Sequence, residues 1–336
     1  MAIKIAINGF GRIGRPVFRH ILDSHPGLEV VAINDLTDTK TLAHLLKYDS
    51  VYGIYDREVN FTEKGIKVDG KEFIVLAEKN PENLLWKDLK VDIVLECTGF
   101  FTDFNGAKKH IAAGAKKVII SAPCKEKEIP GFVLGVNAEN FDSKIVDIMD
   151  MGSCTTNCVA PMAKVLNDNF KIVKGFMTTI HSYTNDQKIL DLPHKDLRRA
   201  RAAALNIIPT STGAAKALGK IIPELQGKMD GIAMRVPTPT VSIVDLIVEV
   251  EKNTTKEKVN EVFKKASETQ ELKGILAVDA NELVSMDFKG NLHSAIIDLP
   301  LTMVKDNMIK AVGWYDNEAG YSKRLAEFAE FVGKKL

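Results

Sequence analysis

The sequence predicts an α/β fold in two parts, a parallel sheet covered by helices and then an α+β domain whose sheet is mostly antiparallel. The first observation is that short β-rich runs alternate with helical patterns through the first half, which is typical of parallel strands joined by right-handed crossovers. The second is that long strands follow one another in the second half. The third is a glycine-rich turn between the first strand and the first helix.

The elements of the first half follow from local patterns. The predicted strands are largely apolar, as expected where both faces of a sheet are covered; they are Ile3–Asn8, Leu28–Asn34, Val91–Glu96 and Val118–Ser121. The segments between them carry helical patterns, at Arg12–Asp23, Thr39–Leu46 and Asn105–Ala113. This alternation predicts one parallel sheet that is covered on both faces.

The elements of the second half have a different character. Long predicted strands come in succession, at Ile172–Ser182, Gly231–Val236, Val241–Glu251 and Met308–Tyr315. The third of these alternates apolar and polar residues after its first few positions, so one face of this sheet is expected to be wetter. A capping box of Thr254 and Glu257 predicts the start of a helix, and an amphipathic helix is expected at Ser322–Lys335.

Composition and charge exclude several classes of function. The chain has 45 lysines and arginines against 44 acidic residues, and a net charge of +1 predicts neither a nucleic-acid partner nor a membrane partner. No uninterrupted apolar stretch reaches the ~18 residues of a transmembrane helix, and the N-terminal apolar run is too short for a signal peptide. The four cysteines show no zinc-ligand spacing, so we expect no metal site. Free thiols suit a reducing compartment, and we expect a cytoplasmic protein.

The glycine-rich turn carries the clearest binding signal. Gly9, Gly11 and Gly14 form G-x-G-x-x-G after a predicted strand. In that context the first glycine permits a tight turn, the second lets the backbone approach a pyrophosphate, and the third lets helix and strand pack closely. Asp35 follows the next strand about 20 residues later, where an acid holds the ribose hydroxyls. Such an acid would repel an additional ribose phosphate, so the sequence predicts a Rossmann-type domain that binds NAD rather than NADP.

A cysteine near the middle of the chain carries the clearest catalytic signal. Cys154 lies within the run Ser-Cys-Thr-Thr-Asn-Cys, ahead of an apolar helical pattern. A cysteine in the first turn of a helix feels unpaired backbone N–H groups and the positive end of the helix dipole, which favours the nucleophilic thiolate. The sequence therefore predicts covalent chemistry at Cys154, whereas Cys97, Cys124 and Cys158 are expected to be packing residues.

Three further positions carry signals that the residues alone leave open. His181 ends an apolar predicted strand, so it is either a base for the thiol or a satisfied core histidine. Arg235 stands among apolar residues, where a charge needs a partner or a ligand, although its position could also face solvent. Ser211, Thr212 and Gly213 open a predicted helix and form either an anion-binding nest or a simple N-cap.

Four motifs, taken in order, resemble those of the phosphorylating glyceraldehyde-3-phosphate dehydrogenases from one end of the chain to the other. They are Asn8–Arg15 (NGFGRIGR), Ser153–Cys158 (SCTTNC), Pro209–Lys216 (PTSTGAAK) and Trp314–Glu318 (WYDNE). The resemblance implies NAD-dependent oxidation of glyceraldehyde-3-phosphate to 1,3-bisphosphoglycerate, with inorganic phosphate as the second substrate. It also implies a homotetramer.

The resemblance implies a role for each matching residue. Cys154 would be the nucleophile and His181 its base. NAD would be held by Gly9, Gly11, Arg12, Ile13, Asp35, Lys79, Ser121 and Asn317, the last orienting the nicotinamide carboxamide. The attacking phosphate would be held by Ser153, Thr155, Thr212 and Gly213. Anion sites shared by that phosphate and the substrate phosphate would be formed by Thr184, Arg199 and Arg235.

The resemblance also sets the expected domain limits. We expect residues 1–152 to form the NAD-binding domain, joined by a C-terminal helix at 318–336, and residues 153–317 to form the catalytic domain. One departure from the family pattern lies just before the cysteine, where Asp150-Met151-Gly152 stands in place of the usual Ser-Asn-Ala. A carboxylate at Asp150 would raise the pKa of the thiol if it faced the sulfur, and would do little if it faced solvent.

Two other functions remain open at this point. A related enzyme could oxidise erythrose-4-phosphate and let water release the product, although the phosphate-binding residues Thr155, Thr212 and Arg199 argue against it. A non-catalytic NAD-binding protein could also retain this fold, but both Cys154 and His181 are present.

Overall fold

The computed structural model describes residues 2–124, 126 and 128–336 and divides them into two compact units. The first unit comprises Met1–Phe132, Asn140–Met151 and Ser322–Leu336, and the second comprises Val133–Glu139 and Gly152–Tyr321. The limits expected from the sequence, at residues 152, 153 and 317, stay predictions. The short segment Val133–Glu139, which precedes all of them, belongs to the second unit.

The first unit is built on an eight-stranded sheet. Its strands are β1 (Ile3–Asn8), β2 (Leu28–Asn34), β5 (Val59–Phe61), β6 (Gly65–Val68), β7 (Lys71–Leu76), β8 (Ile93–Glu96), β9 (Lys117–Ile120) and β10 (Ile148–Asp150), in the order β10-β9-β8-β1-β2-β7-β6-β5. The six strands from β10 to β7 are parallel, and β6 and β5 add antiparallel strands at one edge. A small separate hairpin is formed by β3 (Tyr48–Asp49) and β4 (Gly53–Ile54).

The helices of the first unit lie between these strands along the chain, as the alternating pattern predicted. They are α1 (Gly14–Ser24), α2 (Thr39–Lys47), α3 (Trp86–Leu89) and α4 (Phe104–Ala112). The predicted strand at 91–96 begins two residues late, because the Val91 N–H donates to the Trp86 carbonyl in the turn that closes α3. The predicted α/β class with a parallel sheet is confirmed.

The second unit is built on a mixed sheet packed against helices. Its strands are β11 (Ile172–Ser182), β12 (Ile208–Ser211), β13 (Met229–Val236), β14 (Ser242–Val250), β15 (Leu276–Asp279), β16 (Ala295–Asp298), β17 (Met303–Lys305) and β18 (Met308–Tyr315). The order is β12-β13-β11-β14-β18-β16-β15, with β17 beside β18. The pairs β11–β13 and β15–β16 are parallel and the other five are antiparallel, which confirms a mostly antiparallel sheet.

Three helices provide the core of the second unit: α5 (Cys154–Phe170), α6 (Ala214–Ile221) and α7 (Lys256–Glu268). Cys158 and Met162 of α5 lie in one apolar cluster with Leu246 and Val248 of β14 and Phe263 of α7. Along β14, buried positions alternate with less buried ones, as its sequence predicted. This packing fixes the first turn of α5 against the sheet.

The last helix, α8 (Ala319–Gly333), begins in the second unit, and the chain returns to the first unit at Ser322. It starts at Ala319, between the two starts expected from the sequence, 318 and Ser322, because Asp316 accepts hydrogen bonds from the backbone N–H groups of Glu318 and Ala319. Its predicted apolar stripe is fully buried, at Leu325, Phe328, Ala329 and Val332. Among the described residues, no helix has the length and apolar character needed to cross a membrane.

The predicted cap of α7 is wrong by one residue. The N-cap is Thr255, whose hydroxyl accepts from the Lys258 N–H, and not Thr254. The hydroxyl of Thr254 is buried without a hydrogen-bond partner among the described residues. The two threonines are equivalent in sequence pattern, and only the backbone conformation at position 255 separates them.

The two threonines therefore make a matched pair of variants. We expect Thr255→Ala to lower the free energy of unfolding by about 0.5–2 kcal/mol, because α7 loses its cap, and Thr254→Ala to have a smaller effect. Urea unfolding followed by circular dichroism measures both. Equal losses, or a larger loss for Thr254→Ala, would show that Thr255 is not the cap.

Candidate active site

A cavity of about 550 Å³ lies at the carboxyl ends of β1, β2 and β8 in the first unit. Gly9, Gly11, Asp35 and Lys79 line it, together with Cys97 and Thr98. In open parallel sheets, ligands bind outside the carboxyl ends of the strands. Four of the residues predicted to contact the cofactor are thus at one cavity.

The three glycines of the turn have three different surroundings. Gly9 has a φ of +92°, and a Cβ there would lie 2.7 Å from the Thr98 backbone nitrogen. A Cβ at Gly14 would overlap the Gly9 carbonyl oxygen, whereas a Cβ at Gly11 would meet nothing within 4 Å. The first and third glycines are required by the protein's own packing, and the second leaves open space beside the cavity. This is the arrangement expected for close approach of a pyrophosphate.

The start of α1 is also suited to an anion. Its N-cap, Ile13, makes no side-chain capping hydrogen bond, although the Arg15 N–H is bonded to the Gly11 carbonyl, so no side chain covers the positive end of the helix dipole. Arg12 lies beside this end, where it pairs with Asp49 at 2.5 Å and stacks over Tyr52. The residues present therefore fit the phosphates of a dinucleotide.

The other predicted cofactor residues of this unit have mixed surroundings. One Asp35 oxygen accepts the Phe10 N–H at 2.8 Å, so this acid also braces the glycine turn. Lys79 is exposed, and Ser121 follows β9 with its N–H bonded to the Glu96 carbonyl.

Cys97 corrects one expectation. It is not simply a packing residue, since it lines the cavity. Burial raises the pKa of its thiol to about 12, and a hydrogen bond with Ser121 opposes that rise. Cys124 and Cys158 are buried packing residues, as predicted.

Cys154 is the first residue of α5. Ser153 is the N-cap, and its hydroxyl accepts the Thr156 N–H while the Thr156 hydroxyl accepts the Ser153 N–H. The capping box uses the N–H groups of Ser153 and Thr156, so the N–H groups of Cys154 and Thr155 are left beside the thiol at the N-terminus of the helix. The predicted position of the cysteine at a helix start is confirmed.

His181 lies next to the thiol. Its Nε2 is 3.4 Å from Cys154 Sγ, and its Nδ1 is 2.7 Å from the Ser182 carbonyl oxygen. The Ser182 carbonyl can only accept, whereas the Arg235 guanidinium, 2.6 Å from the same Nδ1, can only donate, so the two contacts favour opposite tautomers. The Nε2 lone pair faces the sulfur in the tautomer that carries its proton on Nδ1. His181 is therefore buried within reach of the thiol, and its role as the base stays a prediction.

The charges of this pair are set by burial. Burial raises the pKa of the Cys154 thiol, and the Arg235 cation and the hydrogen bonds of Thr155 lower it in part. Burial and Arg235 together lower the pKa of His181 to about 3. The helix start does favour the thiolate, as predicted, but burial outweighs it. Burial thus disfavours the charged form of each group.

Arg235 turns inward to this pair. The parallel register of β11 and β13 sets Arg235 opposite His181, and the guanidinium Nη1 lies 2.6 Å from His181 Nδ1 and 3.2 Å from the Ser182 carbonyl. Its Nε is buried without a hydrogen-bond partner among the described residues. Burial lowers the pKa of Arg235, and Cys154, Arg199 and Asp186 are among the charges acting on it. A cation so placed is suited to hold an anionic ligand.

Sequence reasoning missed Tyr315. Its hydroxyl hydrogen-bonds with Thr155 at 2.9 Å and Thr179 at 2.8 Å, and its ring packs edge-on against His181. Tyr315 thus joins the helix that carries the cysteine to the strand that carries the histidine. The signal was present, because Tyr315 stands two residues before Asn317 in the WYDNE motif.

The predicted anion-binding residues are only partly brought together. Arg199 pairs with Asp186 and Asp196, and its Nη2 donates to the Ser211 carbonyl at 3.2 Å, next to Thr212 and Gly213. Gly213 caps α6 without a side-chain bond, and the Thr212 hydroxyl accepts the Ala214 N–H.

Two other residues of the predicted set are engaged inside the protein. Thr184 is bonded to Gln187, and Thr155 is buried with its hydroxyl committed to Tyr315. Their predicted contacts with phosphate stay predictions.

Asn317 is oriented by two serines. The hydroxyls of Ser182 and Ser242 donate to its Oδ1 at 2.9 and 3.1 Å. Because both serine hydroxyls donate to the amide oxygen, the NH₂ end of the Asn317 amide points the other way. An oriented NH₂ donor is what a carboxamide oxygen requires.

One of the two expectations for the Asp150 carboxylate, that it faces solvent, is wrong. It is buried at the end of β10, where Oδ2 accepts the Cys124 N–H at 3.3 Å. It is therefore not a solvent-facing residue. Within the described ranges, no group of three or more His, Cys, Asp or Glu side chains could hold a metal ion.

Comparison with known proteins agrees with this geometry. The family model described as the NAD binding domain of glyceraldehyde 3-phosphate dehydrogenase matches residues 3–104, and that of its C-terminal domain matches residues 153–317. The glyceraldehyde-3-phosphate dehydrogenase of Geobacillus stearothermophilus is 59% identical over 336 residues, covering 100% of this chain and 99% of that protein. That of Streptomyces coelicolor is 56% identical over 337 residues, covering 100% of both chains. Glyceraldehyde-3-phosphate dehydrogenase 1 of Bacillus subtilis is also 56% identical, over 336 residues.

These matches span both units, and the residues they cover include the glycine turn, the cysteine at the start of α5 and the histidine at the end of β11. This chain therefore belongs to the glyceraldehyde-3-phosphate dehydrogenase family of NAD-dependent oxidoreductases.

Proposed function

We propose that this chain catalyses the NAD-dependent oxidation and phosphorylation of glyceraldehyde-3-phosphate to 1,3-bisphosphoglycerate, a step of glycolysis. The observation that carries the proposal is the 3.4 Å contact between Cys154 Sγ and His181 Nε2 at the N-terminus of α5. A nucleophile beside an oriented base is the arrangement that covalent catalysis needs. Relatives more than half identical over the whole length are named for this aldehyde, so erythrose-4-phosphate is not favoured.

The first step is attack of the Cys154 sulfur on the aldehyde carbon. A C–S bond forms, and the thiol proton passes to His181 Nε2. The new alkoxide is stabilised by the Cys154 N–H at the helix start and by the protonated imidazole, which then supplies its proton to the oxygen. The product is a thiohemiacetal. Because burial disfavours a separated ion pair, this proton moves as the electrophile arrives.

The second step is oxidation of the thiohemiacetal to a thioester. His181 removes the hydroxyl proton while the C–H bond breaks with its electron pair. NAD supplies the hydride acceptor, and the residues suited to hold it are those of the glycine turn with Asp35 and Lys79 in the first unit. Asn317, with its NH₂ end oriented by Ser182 and Ser242, would fix the carboxamide.

The third step is transfer of the acyl group to phosphate. A phosphate oxygen attacks the thioester carbon, the C–S bond breaks, and the Cys154 sulfur regains a proton from His181. The thioester conserves the energy of oxidation, which attack by water would lose. Arg199 and Arg235 are the cations suited to hold the two phosphate groups, and the start of α6 at Gly213 adds N–H donors.

We further propose a homotetramer in the cytoplasm. Phe176 is 70% exposed on β11, directly opposite the partly exposed Ile247 of β14, and Ile232 and Met308 expose further apolar surface. The segment before β12 exposes Ile189, Leu197 and Leu205. Apolar patches of this kind support association with further copies. The four cysteines are free, which supports a reducing compartment.

The central test of the function is phosphate dependence. We expect NADH formation from glyceraldehyde-3-phosphate and NAD to turn over only when inorganic phosphate is present. Cys154→Ser should abolish it, whereas Cys158→Ser, one turn later in the same helix and buried in the core, should retain it. Turnover that is equal without phosphate would contradict the proposed acceptor, and an active Cys154→Ser would contradict the nucleophile.

The role of His181 has its own test. We expect His181→Asn to lower kcat by about 10²–10⁴-fold, because the proton acceptor is lost. The same variant should need a higher pH for half-maximal alkylation of Cys154 by iodoacetamide, since the thiol must then ionise without a base. A pH profile and kcat like those of the unchanged protein would exclude His181 as the base.

A charged substitution in the exposed apolar surface around Phe176 tests the proposed assembly. We expect Phe176→Asp to shift the sedimentation coefficient toward smaller species, because a carboxylate opposes burial of this face. Ile145→Asp is the matched control, since Ile145 is 78% exposed in the first unit. A Phe176→Asp protein that sediments like the control would contradict this face as the interface.

A further inference from the structure

A chain of buried polar side chains runs from the interior of the first unit to the lining of the cofactor cavity, and the proposed mechanism does not use it. Its members are Trp86, His110, Glu96, Asn8 and Asn34, hereafter the Glu96 chain. Their exposures are between 0% and 5%, with His110 at 0% and Glu96 at 1%. A buried carboxylate is retained only where donors surround it.

Every oxygen of Glu96 is supplied with donors. Oε2 accepts from Asn8 Nδ2 at 2.5 Å and lies 3.0 Å from His110 Nε2. Oε1 accepts the Thr98 N–H at 2.8 Å and also the Thr98 hydroxyl. Four donors on two oxygens describe an ionised carboxylate.

The tautomer of His110 is set by Trp86. The indole Nε1–H can only donate, and it donates to His110 Nδ1 at 3.0 Å. Nδ1 therefore carries no proton, and the ring proton is on Nε2, directed at Glu96. The hydrogen bonds run in one direction, from Trp86 through His110 to the carboxylate.

The far end of the Glu96 chain reaches the residues beside the cavity. Asn8 Oδ1 accepts from Asn34 Nδ2 at 2.7 Å, and Asn34 makes two further bonds with the backbone of Glu78 at 2.9 Å each. Asn8, Asn34 and Glu78 line the cavity themselves, and so do the residues that follow them in sequence, Gly9, Asp35 and Lys79. Thr98, held by Glu96, lies against Gly9.

We infer that His110 and Trp86, which lie outside the cavity lining, are positioning residues for the dinucleotide. By holding the Glu96 carboxylate in one orientation they hold Asn8 and Thr98, and with them the glycine turn, Asp35 and Lys79. The inference rests on the proposed function only in that the cavity takes NAD.

Two variants of His110 separate this role from a structural one. The amide of His110→Gln extends to the Nε2 position and keeps the donor that His110 supplies to Glu96. The amide oxygen of His110→Asn keeps an acceptor for Trp86 but removes this one of the four donors to Glu96. Both replace a buried ring by an amide. We expect the dissociation constant of NAD to rise about tenfold or more in His110→Asn and to stay within about threefold in His110→Gln.

The readout is calorimetric titration of NAD into the full-length protein without aldehyde, alongside the unfolding temperature. Val91→Ala is the control, because Val91 is buried in the same apolar cluster as Trp86 and carries no polar group; it should lower the unfolding temperature without changing NAD affinity. Alkylation of Cys154 without NAD should be the same in all variants.

Two results would overturn the inference. One is equal NAD affinity in the two His110 variants, and the other is a loss of NAD affinity in Val91→Ala that accompanies its lower unfolding temperature. If His110→Asn does not fold, Trp86→Phe carries the test: loss of the indole donor should weaken NAD binding by a few-fold, and unchanged binding would overturn it. Failure of the unchanged protein to bind NAD would instead contradict the proposed function.

Discussion

The contact between Cys154 and His181 requires helix α5 and strand β11 to be held at a fixed separation, because a thiol and an imidazole exchange a proton only within hydrogen-bond reach. The capping box at Ser153 makes α5 begin at the cysteine, and Met162 and Leu166 anchor that helix in the core. Strand β11 lies between β13 and β14, so the histidine at its end is braced on both sides. Tyr315 then ties Thr155 to Thr179 across the gap. Loosening any of these would lengthen the one distance that the chemistry needs.

Burial gives this contact its chemical character. It raises the pKa of the Cys154 thiol and lowers the pKa of the His181 imidazole, which disfavours the charged form of each group. The Arg235 cation beside His181 Nδ1 adds to this effect, since it opposes a positive ring. A phosphate group bound at Arg235 would offset that charge, and protonation of His181 would then be easier. If phosphate binds at Arg235 as proposed, anion binding and proton transfer would be coupled through this one guanidinium group.

Burial and fixed hydrogen bonds also determine the arrangement of the first unit, although no proton transfer is proposed there. In the Glu96 chain, a buried charge is compensated by donors of fixed direction, and a residue that can only donate, Trp86, stands at its outer end. The glycine turn is rigid at Gly9 and Gly14 because the neighbouring backbone leaves no room for a side chain, and open at Gly11. Rigid surroundings and one open position make a site that is formed before its ligand binds.

The local features of this chain could be predicted from its sequence, because neighbouring residues determine them. The glycine turn, the helix start at Cys154 and the strand ending at Ser182 are of this kind. The cap of α7 was missed by one residue, since Thr254 and Thr255 offer the same side chain and only the backbone angle decides. Features made by distant residues were not accessible: the register that sets Arg235 against His181 pairs strands 54 positions apart.

Other long-range features were missed for the same reason. Tyr315 reaches Thr155 across 160 positions, and Trp86 meets His110 only because α3 and α4 pack together. Cys97 resembled a packing residue because its strand is apolar, while its position at the cavity depends on β1 and β2 beside it. The local sequence pattern indicates which residues have an unusual role, whereas the long-range packing of strands and helices determines which groups those residues contact.

The most direct measurement is intact-protein and peptide mass spectrometry of the protein mixed with glyceraldehyde-3-phosphate and NAD in the absence of phosphate. The account predicts one 3-phosphoglyceryl adduct per chain, located on the peptide that carries Cys154, which disappears when inorganic phosphate is added. An adduct on Cys97, Cys124 or Cys158, or NADH formation with no adduct at all, would contradict a thioester at Cys154.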